Sequence, residues 1–429
     1  MKRVLIIYPY GNINHNPNLS AIVTSLEENG YYTDILSPRF PTINQNFSSE
    51  KSSQILIDDS DKNNSNKYIK AVNPDNYSLV IGIDKGIIPA SKIAGKAKVS
   101  YGLISYEIIF RDEIGFDAKK DEIEACSGVS FAVCQDNIRS LLLSEENTIP
   151  LNKIINIPVA GKYKSLIKKS DHLRKTLGIG NDKRIALYAG SLSSWGMIDS
   201  LIEQVNKWPN DWVLVLHPRY GIENRILKYI NKIKKNSRVY LSDTPVDTTA
   251  QMDKIVSSVD LGIALYKSDP NHPALGKNIL FIGLSSGKIS TYLNYGIPVM
   301  INEIGQMTDY VRKYKLGIVV ENMEKANPSK FDYYDSKKLS SRCINFFKSR
   351  LDFALYEKSL ISIIKAAVQK KKITVSTAVV DNYMLPQSTI EQMKALYKDY
   401  LEVNNKFQKL KSAGINRIFD KFNSYNNLL

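Results

Sequence analysis

Gly283-Leu-Ser-Ser-Gly-Lys-Ile-Ser-Thr-Tyr-Leu-Asn-Tyr-Gly-Ile-Pro-Val299 is the stretch from which the rest of the chain can be placed. Ser285, Ser286 and Gly287 stand where a helix begins. Their hydroxyls and the free amides of a first turn, with Lys288 beside them, suit an anionic group. Ile289, Tyr292, Leu293 and Gly296 recur at helical spacing as a packing face, while Lys288, Thr291 and Tyr295 project from another. Gly296 stops the helix, Pro298 blocks its continuation, and Ile297 to Ile301 reads as a buried strand. The pattern predicts a phosphate-binding turn, a short helix and a strand; the competing reading is a capped surface helix.

Composition narrows the class. A chain of 429 residues exceeds what one core usually supports, which predicts two domains. Hydrophobic content of 43% with 24% charged residues is that of a globular protein. The opening Met-Lys-Arg-Val-Leu-Ile-Ile-Tyr-Pro has too short an apolar run for a signal peptide or a membrane span, so a cytoplasmic location is expected. Cys126, Cys134 and Cys343 form no CxxC pair and only four histidines occur, which suggests neither a zinc site nor a disulfide framework. A net charge of +15 asks for an acidic partner. No zinc finger, aromatic RNA-binding motif or basic recognition helix is present, so nucleic acid is not expected; a phosphate-bearing substrate or an anionic membrane surface accounts for the charge as well.

In chain order, Val4 to Tyr8 reads as a strand buried on both faces. It is followed by a loop carrying His15, then by a helix that Asn16 caps and Pro17 opens, with Leu19, Ile22, Val23 and Leu26 on one side. Tyr32 to Leu36 is the next strand, and strand, helix, strand is the start of a doubly wound sheet, which binds ligands beyond the carboxyl ends of its strands. No GxGxxG follows the first strand, which disfavours a nicotinamide cofactor. Residues 41–76, rich in Asn, Ser and Asp, are expected to include a mobile insertion, and Asp59-Ser-Asp61 within them matches a metal-binding DxD pattern that more often means solvation. Strands at Leu79 to Ile83 and Val99 to Leu103 end in polar residues, which makes Glu107 a cleft candidate unless it pairs with Arg111. Residues 161–182 read as a linker, and the alternation restarts at Arg184 with strands through Tyr188, Trp212 to His217, Val239, Leu261 and Gly317.

The fold class expected is therefore α/β, with two Rossmann-like doubly wound domains at residues 1–165 and 180–345 facing a cleft. A helical segment at 346–429 would pack back on the first domain and end in a basic amphipathic tail. In that tail Ile390, Met393, Tyr397, Tyr400 and Phe407 share a face beside Lys394, Lys398 and Lys406, a pattern that serves an anionic membrane, a partner helix of an oligomer, or the body of the protein.

Tyr188-Ala-Gly-Ser191, Val213-Leu-Val-Leu-His217, Val259-Asp-Leu-Gly-Ile-Ala-Leu-Tyr266, and Ser286-Gly-Lys288 with Tyr292 and Gly296-Ile-Pro-Val299 occur in an order that resembles the nucleotide-sugar-binding half of GT-B-fold glycosyltransferases, most closely glycosyltransferase family four. The resemblance spans roughly residues 1–370 and is specific only in the second half. It implies a metal-independent transferase with no cofactor. The nucleotide diphosphate-sugar donor would sit on the second domain, and a glycan or glycolipid acceptor of cell-surface polysaccharide assembly on the first, at the inner face of the membrane. Donor-binding candidates are Ser191, His217, Arg219, Tyr266, Lys277, Ser285, Ser286, Gly287, Lys288 and Thr291. Helix-start amides and Lys288 would offset charge growing on the departing diphosphate.

The departures are specific. Family members carry a glutamate at the place of Thr291 and often an acid near Gly283, and the basic pair after the first strand of the second domain is replaced by Ser193-Ser194-Trp195-Gly196. Arg219 or Lys277 would have to compensate. Retaining members use no evident base, whereas an inverting enzyme needs a carboxylate or imidazole near the acceptor hydroxyl, for which His15 and Glu107 are the candidates. Two other readings stand beside this one: a non-catalytic transferase-like partner protein, and a nucleotide-sugar epimerase, which would need more acids in the cleft than this chain supplies.

Overall fold

The computed structural model describes residues 2–9, 13, 16–39, 49–164, 168–218, 224–243, 246, 249–269, 272, 275–333, 336–373 and 375. Residues 1–379 form one compact unit; the remaining unit, 380–429, on which the expected tail helix falls, lies outside the described residues.

The first sheet has seven parallel strands: β1 (Arg3–Ile7), β2 (Tyr32–Arg39), β3 (Ser52–Asp58), β4 (Leu79–Ile83), β5 (Ser100–Ile104), β6 (Phe131–Cys134) and β7 (Ile154–Asn156), in the order β3-β2-β1-β4-β5-β6-β7. The second has six: β8 (Arg184–Gly190), β9 (Trp212–Pro218), β10 (Val239–Leu241), β11 (Leu261–Ala264), β12 (Val299–Ile301) and β13 (Gly317–Val319), in the order β10-β9-β8-β11-β12-β13. Both are doubly wound, so each has a switch point where the strand order reverses: β1 against β4 in one, with Val4 beside Leu79, and β8 against β11 in the other, with Ala186 beside Leu261. Val4 to Ile7 and Ile185 to Tyr188 are wholly buried, as strands covered by helices on both faces must be.

The region 41–76, expected to include an insertion, also holds a strand that the sequence reading did not place. Ser52–Asp58 is the edge strand β3, paired in register with β2 from Thr33 against Ser52 to Arg39 against Asp58. Its half-exposed Ile55, Leu56 and Ile57 alternate too weakly to stand out from polar neighbours. Asp59 and Asp61 are held in ion pairs by Lys62 at 3.1 Å and Lys67 at 3.0 Å. The expected linker likewise contains a helix, His172–Leu177, anchored by buried Leu173.

The helix Ala354–Val368 returns to the first lobe. Glu357 accepts the Ser25 hydroxyl and pairs with Lys162 at 2.9 Å, and Val375 N–H donates to the Asn152 carbonyl at 2.9 Å. Cys126, Cys134 and Cys343 are buried and unbridged. Among the described residues, no helix is long and apolar enough to cross a membrane, and no cluster of His, Cys, Asp or Glu side chains could hold a metal ion.

Candidate active site

Ser286 caps the helix Gly287–Asn294, its Oγ accepting the Ile289 N–H at 3.4 Å and pairing with the Tyr266 hydroxyl at 2.6 Å. The helix is pinned across the carboxyl ends of β8 and β11 by Tyr292, whose hydroxyl donates to the Leu187 carbonyl at 2.9 Å and accepts the Ala189 N–H at 3.1 Å. Its start therefore stands over the switch point of the second sheet, where ligands of such sheets bind.

Lys288 reaches from that start to the turn after β8. Its Nζ lies 3.6 Å from the Tyr188 ring centroid and 5.3 Å from that of Tyr266, a cation–π seat. Its Cε passes 3.3 Å from where a Cβ on Gly190 would stand, so a side chain there would crowd the ammonium's path. Ser191 follows Gly190 in the same turn and its carbonyl accepts the Tyr188 hydroxyl at 3.3 Å. Tyr266 is fixed on three sides. Its backbone exchanges two hydrogen bonds with the Asn302 side chain, at 2.9 and 2.7 Å, and its ring stacks on Trp195 at 5.8 Å and 10°. A groove of about 530 Å³ opens beside it, lined by Ser194, Met197, Lys267, Asn302 and Glu303 among others.

Other expected donor residues make contacts of their own within the chain. Ser285 donates across the lobes to the Tyr106 carbonyl at 3.2 Å, and the Thr291 hydroxyl donates back to the Gly287 carbonyl at 2.7 Å within its own helix. His217 is 1% exposed, with Nδ1 3.0 Å from Ser242 Oγ. Burial pulls its pKa down to about 4, so it is a neutral imidazole near neutral pH. Lys277 pairs with Asp112 of the first lobe and its N–H donates to Glu113 at 2.7 Å, so its charge is already engaged. Glu107 accepts from Asn278 Nδ2 across the same seam. His15 and Arg219 lie outside the described residues.

The seam itself was not foreseen. Arg139, 1% exposed, donates to Gln135 Oε1 at 2.7 Å, to the Tyr106 carbonyl at 2.8 Å, to the Phe281 carbonyl at 3.0 Å and to Asn278 Oδ1 at 3.1 Å. Asp136, the cap of helix Asn137–Asn147, accepts the Leu284 N–H at 3.1 Å, and burial raises its carboxyl above the ordinary range. A Cβ on Gly283, whose φ is +44°, would collide with that carboxylate, which explains why no acid stands at this position. The one sequence signal was the polar run Gln135-Asp136-Asn137 directly after β6.

Residues 243–347 match the family described as glucosyltransferase 3-like, C-terminal domain. No curated protein sequence matches the chain. Among solved structures, HepE of Anabaena, in complex with UDP and glucose, is 12% identical over 85% of this chain and 100% of its own, with a TM-score of 0.63. A glycosyltransferase from Rickettsia africae is 16% identical over 86% of this chain and 99% of its own, with a TM-score of 0.61. An E. coli trehalose-6-phosphate protein bound with UDP-2-fluoro glucose is 9% identical over 85% and 99%, with a TM-score of 0.59. The two parallel sheets, joined at a seam and followed by a returning helix, are thus the GT-B glycosyltransferase fold, with a glucosyltransferase 3-like match in the second lobe.

Proposed function

We propose that the chain is a glycosyltransferase that takes a hexosyl group from a UDP-sugar bound on the second lobe and passes it, without a metal ion, to a glycan or glycolipid hydroxyl presented by the first. The observation that carries this reading is Lys288 on its cation–π seat at the switch point, beside the first-turn amides of a capped helix. As the bond from the anomeric carbon to the diphosphate breaks, negative charge grows on the departing group, and a fixed ammonium with oriented N–H dipoles offsets it. Complexes of HepE with UDP-glucose and of the E. coli protein with UDP-2-fluoro glucose support a uridine donor. Action on cell-surface polysaccharide, attachment to an anionic membrane and self-association through residues beyond 380 belong to the same proposal, from the net charge of +15 and the basic tail.

A second reading, a binding protein without turnover, is favoured by one observation: Thr291 is back-bonded and Gly283 is hemmed in by Asp136, so neither family acid is in place. Incubation of the purified chain with a panel of UDP-, GDP- and TDP-hexoses, following free nucleoside diphosphate, separates the two. Release that persists in EDTA is the expected result. Tight binding without release would favour the binding protein, and no binding of any nucleotide would remove the transferase.

A further inference from the structure

The first lobe carries a carboxylate that none of the preceding assignments uses. Asp84 follows β4 directly, so it stands at the carboxyl end of a strand at the β1/β4 switch point, the counterpart on the acceptor side of the place Lys288 occupies on the donor side. Its φ is +50°, a left-handed conformation that a residue other than glycine adopts rarely and that gathers at functional sites. Its Oδ1 accepts two backbone N–H groups from the loop after β5, Tyr106 at 2.7 Å and Glu107 at 2.9 Å. Both bonds fall on Oδ1, which fixes the carboxylate and leaves Oδ2 outside them.

The same loop faces the donor. Tyr106 gives its N–H to Asp84 and its carbonyl to Ser285 Oγ, so a single residue separates the carboxylate from the turn that opens the donor-side helix. Glu107, the neighbour suggested by sequence, ties to Asn278 instead. We infer, on the footing of the glycosyltransferase reading, that Asp84 is the catalytic base that takes the proton of the attacking acceptor hydroxyl. In that step the acceptor oxygen forms a bond to the anomeric carbon, the bond from that carbon to the β-phosphate oxygen breaks, and its electron pair leaves with the nucleoside diphosphate. The hydroxyl proton passes to Asp84 Oδ2 and then to water. Attack from the face opposite the leaving group makes the transfer inverting.

The surroundings suit a base. Burial, then the charge of Glu107, push the Asp84 carboxyl up to about 8, with Glu122 adding to the rise and the Tyr106 and Glu107 N–H groups opposing it. The nearby hydroxyl of Tyr106 donates to Asn18 Oδ1 at 2.9 Å, and the Tyr8 ring lies tilted against that of Tyr106 at 6.4 Å. Lys119 pairs with Glu122. A base of this kind is active when ionised, so the rate rises with pH and levels off above about 8.

The test compares the full-length wild type with Asp84→Asn and Asp84→Gly. Asparagine and glycine both tolerate the left-handed backbone, and the Asn side-chain oxygen still accepts both N–H groups, so the loop stays tethered in the first variant. UDP affinity is measured by calorimetry, and UDP release from UDP-glucose is followed with p-nitrophenyl hexosides or water as acceptor, between pH 6 and 10. The expected result is UDP release lower by about 100-fold or more in both variants, with UDP affinity within twofold of wild type and a melting temperature equal or higher in Asp84→Asn, and a lower melting temperature in Asp84→Gly, which leaves the Tyr106 and Glu107 N–H groups without their acceptor. The wild-type pH limb should be missing from the residual rate. Release within threefold of wild type in either folded variant, or a pH limb that survives, overturns the assignment while the donor reading stands. A wild type that binds no nucleoside diphosphate overturns the donor reading and this step with it; one that binds UDP yet releases none at any pH leaves the donor site standing and overturns this step in favour of the binding protein.

Discussion

Replacing Lys288 by Met tests the donor site most directly. Methionine keeps the length and most of the apolar stem while deleting the ammonium that sits 3.6 Å over Tyr188 and 5.3 Å over Tyr266. In the nucleotide-free chain two effects oppose: the cation–π attraction, about 0.5–2 kcal/mol, is lost, and the cost of holding a half-buried charge disappears with it. Stability should therefore move by no more than about 1 kcal/mol. With a diphosphate bound the balance differs, because a charge-assisted hydrogen bond contributes about 1.5–3 kcal/mol that Met cannot replace. That range corresponds to a UDP dissociation constant raised roughly 10- to 150-fold. Calorimetric titration of UDP into both proteins reads it, and the wild-type affinity should fall with added salt more steeply than that of the variant. A dissociation constant within threefold of wild type, in a variant that melts normally, would refute the placement of the phosphate.

Arg139→Met removes the donor shared by Gln135, Tyr106, Phe281 and Asn278; Tyr106 keeps Ser285 and Asn278 keeps the Ile108 N–H, while the buried Gln135 and Phe281 acceptors lose theirs. A loss of about 3–5 kcal/mol is expected in urea unfolding, and a loss below 1 kcal/mol would mean that the lobes do not depend on it. His217 has a folded-state pKa of about 4, below its ordinary value near 6.5, so its neutral form stabilises the fold fully above about pH 6.5 and that contribution is lost as pH falls through 4. His217→Gln should flatten a drop of up to about 3 kcal/mol between those limits, measured by denaturant midpoints at pH 7 and 4.5; an unchanged drop assigns it to other groups. Gly283→Ala forces a side chain into a left-handed position against the Asp136 carboxylate and should cost about 2 kcal/mol or more, with an unaltered melting temperature as the contrary result.

Much of the fold was legible because its strands are unbroken apolar runs. Val4 to Ile7, Ile185 to Tyr188 and Trp212 to Leu216 are buried on both faces and admit no polar residue, so each stands out without knowledge of its neighbours. The strand β3 escaped because an edge needs only half-burial, and Ser52, Ser53 and Gln54 there bond to neighbours through side chains a polar loop would also carry. In the site, the helix start and Lys288 follow from local spacing. The fate of individual hydroxyls does not, because Ser285 and Thr291 each chose among several acceptors that only the folded chain brings near. Arg139 and Asn278 are 139 residues apart, and nothing local announces their meeting. Asp84 was visible as a polar residue after a strand, but its backbone conformation and two N–H donors belong to the tertiary structure.

The chain passes between the lobes twice, on the way out near Gly161 and on the way back near Phe353, and the two passages touch: Phe353 N–H donates to the Gly161 carbonyl at 3.2 Å and Tyr163 N–H to Asp352 at 3.1 Å. Paired side by side, the two crossings brace each other where a single connector would stand alone. The Arg139 cluster is a second tie between them, and any separation of the lobes would have to exchange its Asn278 and Phe281 acceptors for water, so one buried guanidinium sets a cost on parting them.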